Sequence, residues 1–357
     1  MLNKGNIIFK YEAQTIDSVY AFKDGDFIVF GDIRPKENNS LRRLSSLFDG
    51  KTFKSKMILE VSSDSCFFDL KDNEFGLCID YYFSIYRFNS DRTESTKIQS
   101  LGINQFETGK KLIKLLNGDI LFLKNEIPTS NISVYKKESD KSNLEKNDKY
   151  CYTIQDQFHI TDCEDLIELN ENEFLIYKKL IQTPESLELK IYNNNNYQII
   201  RKNSIKAEFR DNNNNIKKRL YFTTSIFKAN NEKLIAGGCY NLFIIDLKTL
   251  ELETMVRLEK TIEKILIREE NNILIFSYQS ENYRKDIGRE VNPNFRKYFI
   301  QKLNIDFGIN GIIRNEEIDI TEEVGKYNSC YEIYNYTDNR LASIIDKSTF
   351  IIYDENK

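Results

Sequence analysis

The sequence predicts an all-β repeat fold, and three observations carry that prediction. The first is a short polar turn followed at once by a hydrophobic strand, met seven times: KDGDFIVF from Lys23, KDNEFGLC from Lys71, LNGDILFL from Leu116, NENEFLIY from Asn170, NNEKLIAG from Asn230, ENNILIFS from Glu270 and TDNRLASI from Thr337. The strands begin at Phe27, Phe75, Ile120, Phe174, Leu234, Ile273 and Leu341, at intervals of 39 to about 68 residues. The second is that each such strand is followed by a third strand-like segment and, in the first six units, by a fourth. The third is that both ends of the chain are accounted for by one shared sheet. A supersecondary unit recurring at this period buries its apolar face by stacking on its neighbours. Four strands per unit point to a seven-bladed β-propeller, with a superhelical repeat or a pair of β-sandwiches as the alternative arrangement.

Each element has a local reason. Asp24-Gly25 and Asn117-Gly118 supply the positive φ that a tight hairpin turn requires; Asp72-Asn73 and Asn172-Glu173 are weaker versions of the same signal. Third strands read FSIYRF from Phe83, NISVYKK from Asn131, LELKIYN from Leu187, NLFIIDL from Asn241, YFIQKLNI from Tyr298 and STFIIYD from Ser348, with Ser40 to Phe48 as the poorer candidate in the first blade. Outer strands read KSKMILEV from Lys54, TKIQSL from Thr96, KYCYTI from Lys149, YQIIRK from Tyr197, LETMVRL from Leu252 and GIIRNEEIDI from Gly311. The seventh unit lacks an outer strand, and NIIFKYE, from Asn6 to Glu12, supplies it. Closure of this kind removes sheet edges that would otherwise template aggregation. The expected organisation is one propeller domain over 1–357, with blades at about 15–61, 62–107, 108–157, 158–205, 220–260 and 261–324, and a last blade of 325–357 plus 5–14.

Two segments carry a family resemblance. LIAGGCYNLFIIDLKT, Leu234 to Thr249, and LASIIDKSTFIIYDEN, Leu341 to Asn356, resemble the second and third strands of a WD-repeat. Ala236 and Gly237, or Ala342 and Ser343, stand at its small positions; Asp346 matches the turn aspartate, and Asp246 and Asp354 match the aspartate that ends the third strand. Tyr353 stands in for the tryptophan, of which the chain has none, and the sole histidine, His159, rules out the family's Gly-His pair. The resemblance implies a WD-repeat-like propeller without the family's buried hydrogen-bond tetrad.

Composition excludes several classes. Lys and Arg number 51 against 55 Asp and Glu, a net charge of −4, so no global field marks a nucleic-acid or membrane binder. No apolar run approaches the length of a membrane span. Cys66, Cys78, Cys151, Cys163, Cys239 and Cys330 are scattered without metal-site spacing, as expected of reduced thiols. MLNKGNIIFKYE is too short an apolar stretch for an export signal, so the expectation is an intracellular, cytoplasmic protein. Asn193 to Asn196 and Asn212 to Asn215 read as loop filler.

No catalytic constellation is present. His159 could pair with Asp162 or Cys163, but a histidine in a connecting segment accounts for it as well. Phosphate loops, dinucleotide fingerprints and nucleophile elbows are missing from the sequence. Glu316, Glu317, Asp319, Glu322 and Glu323 form one polar run suited to a solvated edge rather than to the paired carboxylates of a glycosidase. We therefore expect no enzyme, no cofactor and no metal.

The loops carry the remaining signal. Pro35, Pro128, Pro184 and Pro293 each fall between a second and a third strand, and the longest connections are Tyr278 to Phe295 and Asn203 to Leu220. Both are basic. Arg210, Lys217, Lys218 and Arg219 in one, and Arg284, Lys285 and Arg289 in the other, form a candidate binding set on blades five and six. Leu41-Arg42-Arg43-Leu44 has the arginine pair of a lipid-binding propeller motif but not its glycine, and does not match it. The expected function is a protein-interaction scaffold whose partners dock on the loop-rich face. The alternative is an acidic protein, phosphoinositide head group or RNA held by the basic loops, and a channel-site hydrolase is the remotest reading.

Overall fold

The computed structural model describes residues 7–22, 24–35, 41–61, 66–70, 73–79, 82–102, 108–125, 130–137, 152–158, 165–180, 186–206, 208–210, 216–219, 226–230, 232–238, 240–269, 272–280, 296–306, 311–320, 331–337, 340–345 and 347–354. Among these residues every regular element is a β-strand. Seven antiparallel sheets of four strands follow one another along the chain, and they are the seven blades of a β-propeller.

Blade 1 is Ser18–Ala21, Phe27–Pro35, Leu41–Phe48 and Ser55–Val61; blade 2 is Cys66–Asp69, Glu74–Ile79, Tyr82–Phe88 and Ser95–Gly102. Blade 3 is Thr108–Lys114, Ile120–Asn125, Ser130–Lys137 and Tyr152–Phe158; blade 4 is Asp165–Asn170, Glu173–Leu180, Ser186–Asn193 and Ile199–Lys206. Blade 5 is Ile226–Lys228, Lys233–Gly238, Asn241–Asp246 and Leu252–Arg257; blade 6 is Thr261–Glu269, Asn272–Ser280, Arg296–Asp306 and Gly311–Asp319. Blade 7 is Tyr331–Thr337, Arg340–Ile345 and Thr349–Asp354, and its fourth strand is Ile7–Glu12 from the other end of the chain. That strand pairs antiparallel with the third, Lys10 opposite Ile351 and Glu12 opposite Thr349, as the sequence predicts.

Chain contacts divide the molecule into two compact units, Met1–Leu59 with Ala207–Lys357, and Glu60–Lys206. The first contains blades 5, 6, 7 and 1, whose adjoining strands pack in that order; the second contains blades 2, 3 and 4. Within each unit the core lies between successive blades. Between blades 7 and 1, Phe27, Val29 and Phe48 pack on Tyr336, Ile344, Phe350 and Ile352. Phe9 on the closing strand joins them edge-on, with ring centroids 5.4 Å from those of Phe27 and of Phe48. Between blades 3 and 4, Leu121, Leu123 and Val134 meet Leu166, Phe174 and Ile176.

The first hairpin turns use the predicted glycines, Gly25 at φ 94° and Gly118 at φ 92°, and Asn73 takes the same left-handed region at φ 61°. A second turn recurs between the third and fourth strands. In Asp49–Lys54, Asn193–Gln198 and Asp246–Glu251 the fifth residue (Phe53, Tyr197 or Leu250) has positive φ and donates its N–H to the carbonyl of the first at 2.8, 2.9 and 2.8 Å. The asparagine run Asn193–Asn196 is thus a built turn and not filler. Asn193 Oδ1 accepts the N–H groups of Asn195 at 2.8 Å and Asn196 at 3.2 Å, and the buried Asn194 amide donates to the carbonyls of Asn170 and Glu171 at 3.3 and 3.0 Å. Asn212 to Asn215 lie outside the described residues.

The closing strand gives a direct test of this architecture. A chain beginning at Ala13 leaves Thr349–Asp354 with an open edge and strips Phe9 from the blade 7–blade 1 core. We expect a lower thermal midpoint and concentration-dependent light scattering; a truncated chain as stable and monodisperse as the full one would show the strand to be dispensable.

Candidate functional site

One position recurs in all seven blades: the residue immediately before the repeat strand's first apolar residue. It is Asp26, Glu74, Asp119, Glu173, Lys233, Asn272 and Arg340 in turn. Each reaches out of its hairpin to another strand or turn. Asp26, 6% exposed, accepts from Gly50 N–H at 3.0 Å and from Lys56 on the fourth strand at 2.7 Å. Glu74 accepts from Arg87 at 2.8 Å on its own blade and from the buried Lys114 of blade 3 at 2.9 Å. Asp119 accepts from the Tyr197 hydroxyl of blade 4. Glu173 holds one guanidinium nitrogen of Arg201 at 2.9 Å from each of its two oxygens. Lys233 binds Asp246 at 3.2 Å and Glu253, Asn272 accepts from Asn304 at 3.0 Å, and Arg340 donates to the Gly50 carbonyl at 3.2 Å.

The ionisation of these groups follows from their partners. Burial lifts the Tyr197 hydroxyl far above its ordinary value, and the neighbouring Asp119 carboxylate adds to the rise. Burial does the same for Tyr336, whose hydroxyl donates to the Gly25 carbonyl. Burial alone would lower Lys233, but its bonds to Glu253 and Asp246 outweigh that and raise it. Asp49, at the head of its turn, is lowered to about 2 because it accepts the Thr52 backbone N–H and hydroxyl. Every one of these groups is spent on holding strands together.

A cavity of about 230 Å³ opens among the first strands of blades 1, 6 and 7, lined by Val19, Tyr20, Ala21, Lys264, Leu266 and Tyr336 with Ala342. Its volume falls below the roughly 300 Å³ at which small-molecule sites begin. Among the described residues no group of three or more His, Cys, Asp or Glu is placed to hold a metal. No helix among them is long and apolar enough to cross a membrane.

The predicted basic residues divide into two sets. Arg210, Lys217, Lys218 and Arg219 do not lie in an irregular loop. They sit on a two-stranded ribbon, Glu208–Arg210 paired with Ile216–Arg219, in the connection between blades 4 and 5. Glu208 stands opposite Arg219, and Phe209 opposite Lys218. The segment is too short and too charged to show the alternation by which strands are recognised. Arg284, Lys285 and Arg289 lie outside the described residues, as do His159, Asp162 and Cys163. Of the prolines, Pro35 ends the second strand of blade 1, and the other three lie outside the described residues. Within the acidic run, Glu317 is not simply solvated, because Lys260 donates to it at 2.7 and 2.6 Å and Gln301 at 3.0 Å. Cys66 and Cys78, twelve residues apart, are register partners across the first hairpin of blade 2.

The seven blades and their strand order define a seven-bladed β-propeller. Among solved structures, Hsv2 of Kluyveromyces lactis is similar with a TM-score of 0.54 at 10% identity, over 93% of this chain and 90% of that one. Sqt1 of Saccharomyces cerevisiae is similar at 0.51 and 9%, over 98% of each chain, and the WD40 domain of SCAP from fission yeast at 0.51 and 9%, over 97% of each. At such identities the likeness is one of fold. No protein-family model matches the sequence, and no curated protein matches it.

The buried pair between blades 2 and 3 tests the anchors. Removing Lys114 leaves Glu74 with one partner, so Lys114→Ala should destabilise the protein by about 3 kcal/mol in urea denaturation. The doubly neutral Glu74→Gln, Lys114→Met should lose less than Lys114→Ala alone. A Lys114→Ala cost below about 0.5 kcal/mol, the level of a surface substitution, would contradict the assignment.

Proposed function

We propose that this propeller is a non-enzymatic scaffold that holds protein partners in an intracellular complex. The observation that supports this most is where the polar residues go. The seven recurring side chains that might have converged on a substrate are each tied into a blade or onto its neighbour. What remains for recognition is the periphery: loops on a rigid framework and the outer strands of the blades. The WD40 domain among the similar structures fits a scaffold by fold analogy.

One specific observation favours a second reading, in which the ribbon at Arg210, Lys217, Lys218 and Arg219 holds a phosphoinositide head group or RNA. Its pairing gathers four of the seven predicted cations on one short element, and Arg284, Lys285 and Arg289 of blade 6 would complete the set.

Affinity purification of the tagged chain from its own cells at moderate salt separates the two. The scaffold reading predicts a stoichiometric set of proteins that persists when Lys217, Lys218 and Arg219 are replaced by glutamate. A chain that fractionates as a monomer and captures nothing would overturn it. The second reading predicts retention on phosphoinositide vesicles or RNA that the same triple substitution abolishes.

A further inference from the structure

We propose that the outer edge of blade 4 is a docking strand for an extended, acidic segment of a partner protein, which adds to the sheet as a fifth strand. The inference deepens the scaffold reading and rests on it.

Sheet order places Ile199–Lys206 at the end of blade 4, so its outward side has no strand partner among the described residues. The strand opens with two adjacent isoleucines, Ile199 at 47% and Ile200 at 45% exposure, which are among the few large apolar side chains left in solvent. The ladder explains how both come to be open. Its register shifts between Ile191, opposite Arg201, and Tyr192, opposite Ile199, so Ile200 is the extra residue of a bulge. Beyond the bulge, Arg201 to Lys206 run in unbroken register with Ile191 to Ser186. Six regular residues span about 20 Å of edge at roughly 3.3 Å each.

The charge of this edge is what names the occupant. Arg201, Lys202 and Lys206 give the strand +3, with no acidic residue, on a chain of net −4. On three other outer strands a charge is consumed internally: Lys56 by Asp26 and Asp49, Glu253 by Lys233, and Glu317 by Lys260. On blade 4, Arg201 is likewise tied to Glu173. Lys202 and Lys206 are different: both are exposed, and neither side chain makes an ion pair or hydrogen bond among the described residues. Lysines on a sheet edge do discourage aggregation. That role explains the lysines but not the isoleucines, because open apolar side chains on an edge act in the opposite sense. A segment with carboxylates opposite the two lysines and apolar residues over the isoleucines satisfies both features. Main-chain hydrogen bonds would supply affinity and the side-chain pattern specificity.

The test uses the full-length protein and two capped, fluorescein-labelled octapeptides, ETETETVV and its counterpart KTKTKTVV. Fluorescence anisotropy at low salt should show saturable binding of the acidic peptide only. Hydrogen exchange should show new protection at Ile199–Lys206. Lys202→Glu with Lys206→Glu should weaken binding about ten-fold or more, and Ile199→Ser with Ile200→Ser should weaken it without changing the salt dependence. These sites are exposed, so folding should survive, and the thermal midpoint checks it. No saturable binding, equal binding of both peptides, undiminished binding after charge reversal, or protection elsewhere would each overturn the proposal. So would displacement by an RNA oligomer with no protection of the strand, since that marks a polyanion site. Affinity purification separates the two levels. A stoichiometric protein set that is unchanged by the lysine reversal leaves the scaffold standing and removes the edge. Peptide binding by a chain that captures no protein leaves the edge and removes the scaffold.

Discussion

A blade of four antiparallel strands is held together by its ladders, but ladders alone do not fix how its hairpins sit on one another. In this protein that is done by one polar side chain at the start of each second strand. The position lies where a hairpin turn ends and the buried strand begins, so its side chain is forced inward past the turn. A polar group driven there must find partners, because an unpaired buried charge costs several kcal/mol. It finds them on the third and fourth strands, or on the next blade. Asp26 thus ties down Ser55–Val61 through Lys56, and Glu173 ties down Ile199–Lys206 through Arg201. Asp119 crosses to blade 4 through Tyr197, and Glu74 crosses to blade 3 through Lys114. The remaining elements follow: apolar faces between blades are buried once the hairpins are fixed, and the turn from third to fourth strand closes over the anchor. Gly50 shows how tight that closure is, since a Cβ there would lie 1.9 Å from the Gly25 carbonyl oxygen.

This arrangement also shows how a seven-bladed propeller is built without tryptophan or a Gly-His pair. The need is for a polar contact that ties each hairpin to another strand or turn. Six kinds of pairing meet it at the seven positions: carboxylate with lysine, with arginine, with tyrosine, lysine with two carboxylates, an asparagine pair, and arginine with a carbonyl. Where both groups are charged the signs are opposite: Asp26, Glu74 and Glu173 meet cations, and Lys233 meets carboxylates.

Legibility in the sequence followed the physics of each feature. The strands were readable because burial imposes apolar runs and turns impose Asn, Asp and Gly; Phe27, Ile120 and Leu234 stand at their strand starts for that reason. The closing strand was readable because blade 7 lacked a fourth strand and Ile7–Glu12 had no other sheet to join. The anchors were not, although they directly precede the residues used to find the repeats: Asp, Glu, Lys, Asn and Arg share no residue type, only a place. The ribbon at Glu208–Arg219 looked like a loop because charge fills it. Ile199 and Ile200 look like any buried isoleucine pair in sequence, and only the bulge and the sheet order expose them. Cys66 and Cys78 are unremarkable at their spacing and become neighbours only through the register of blade 2.

The claim that these anchors hold the strands they reach is tested most directly by hydrogen exchange on the Lys233→Ala protein. Lys233 joins Asp246 at the end of the third strand of blade 5 to Glu253 on its fourth. Protection should fall at Leu252–Arg257 and stay unchanged in the outer strands of the other blades. Protection lost evenly across all seven blades, or not lost at Leu252–Arg257 at all, would contradict it.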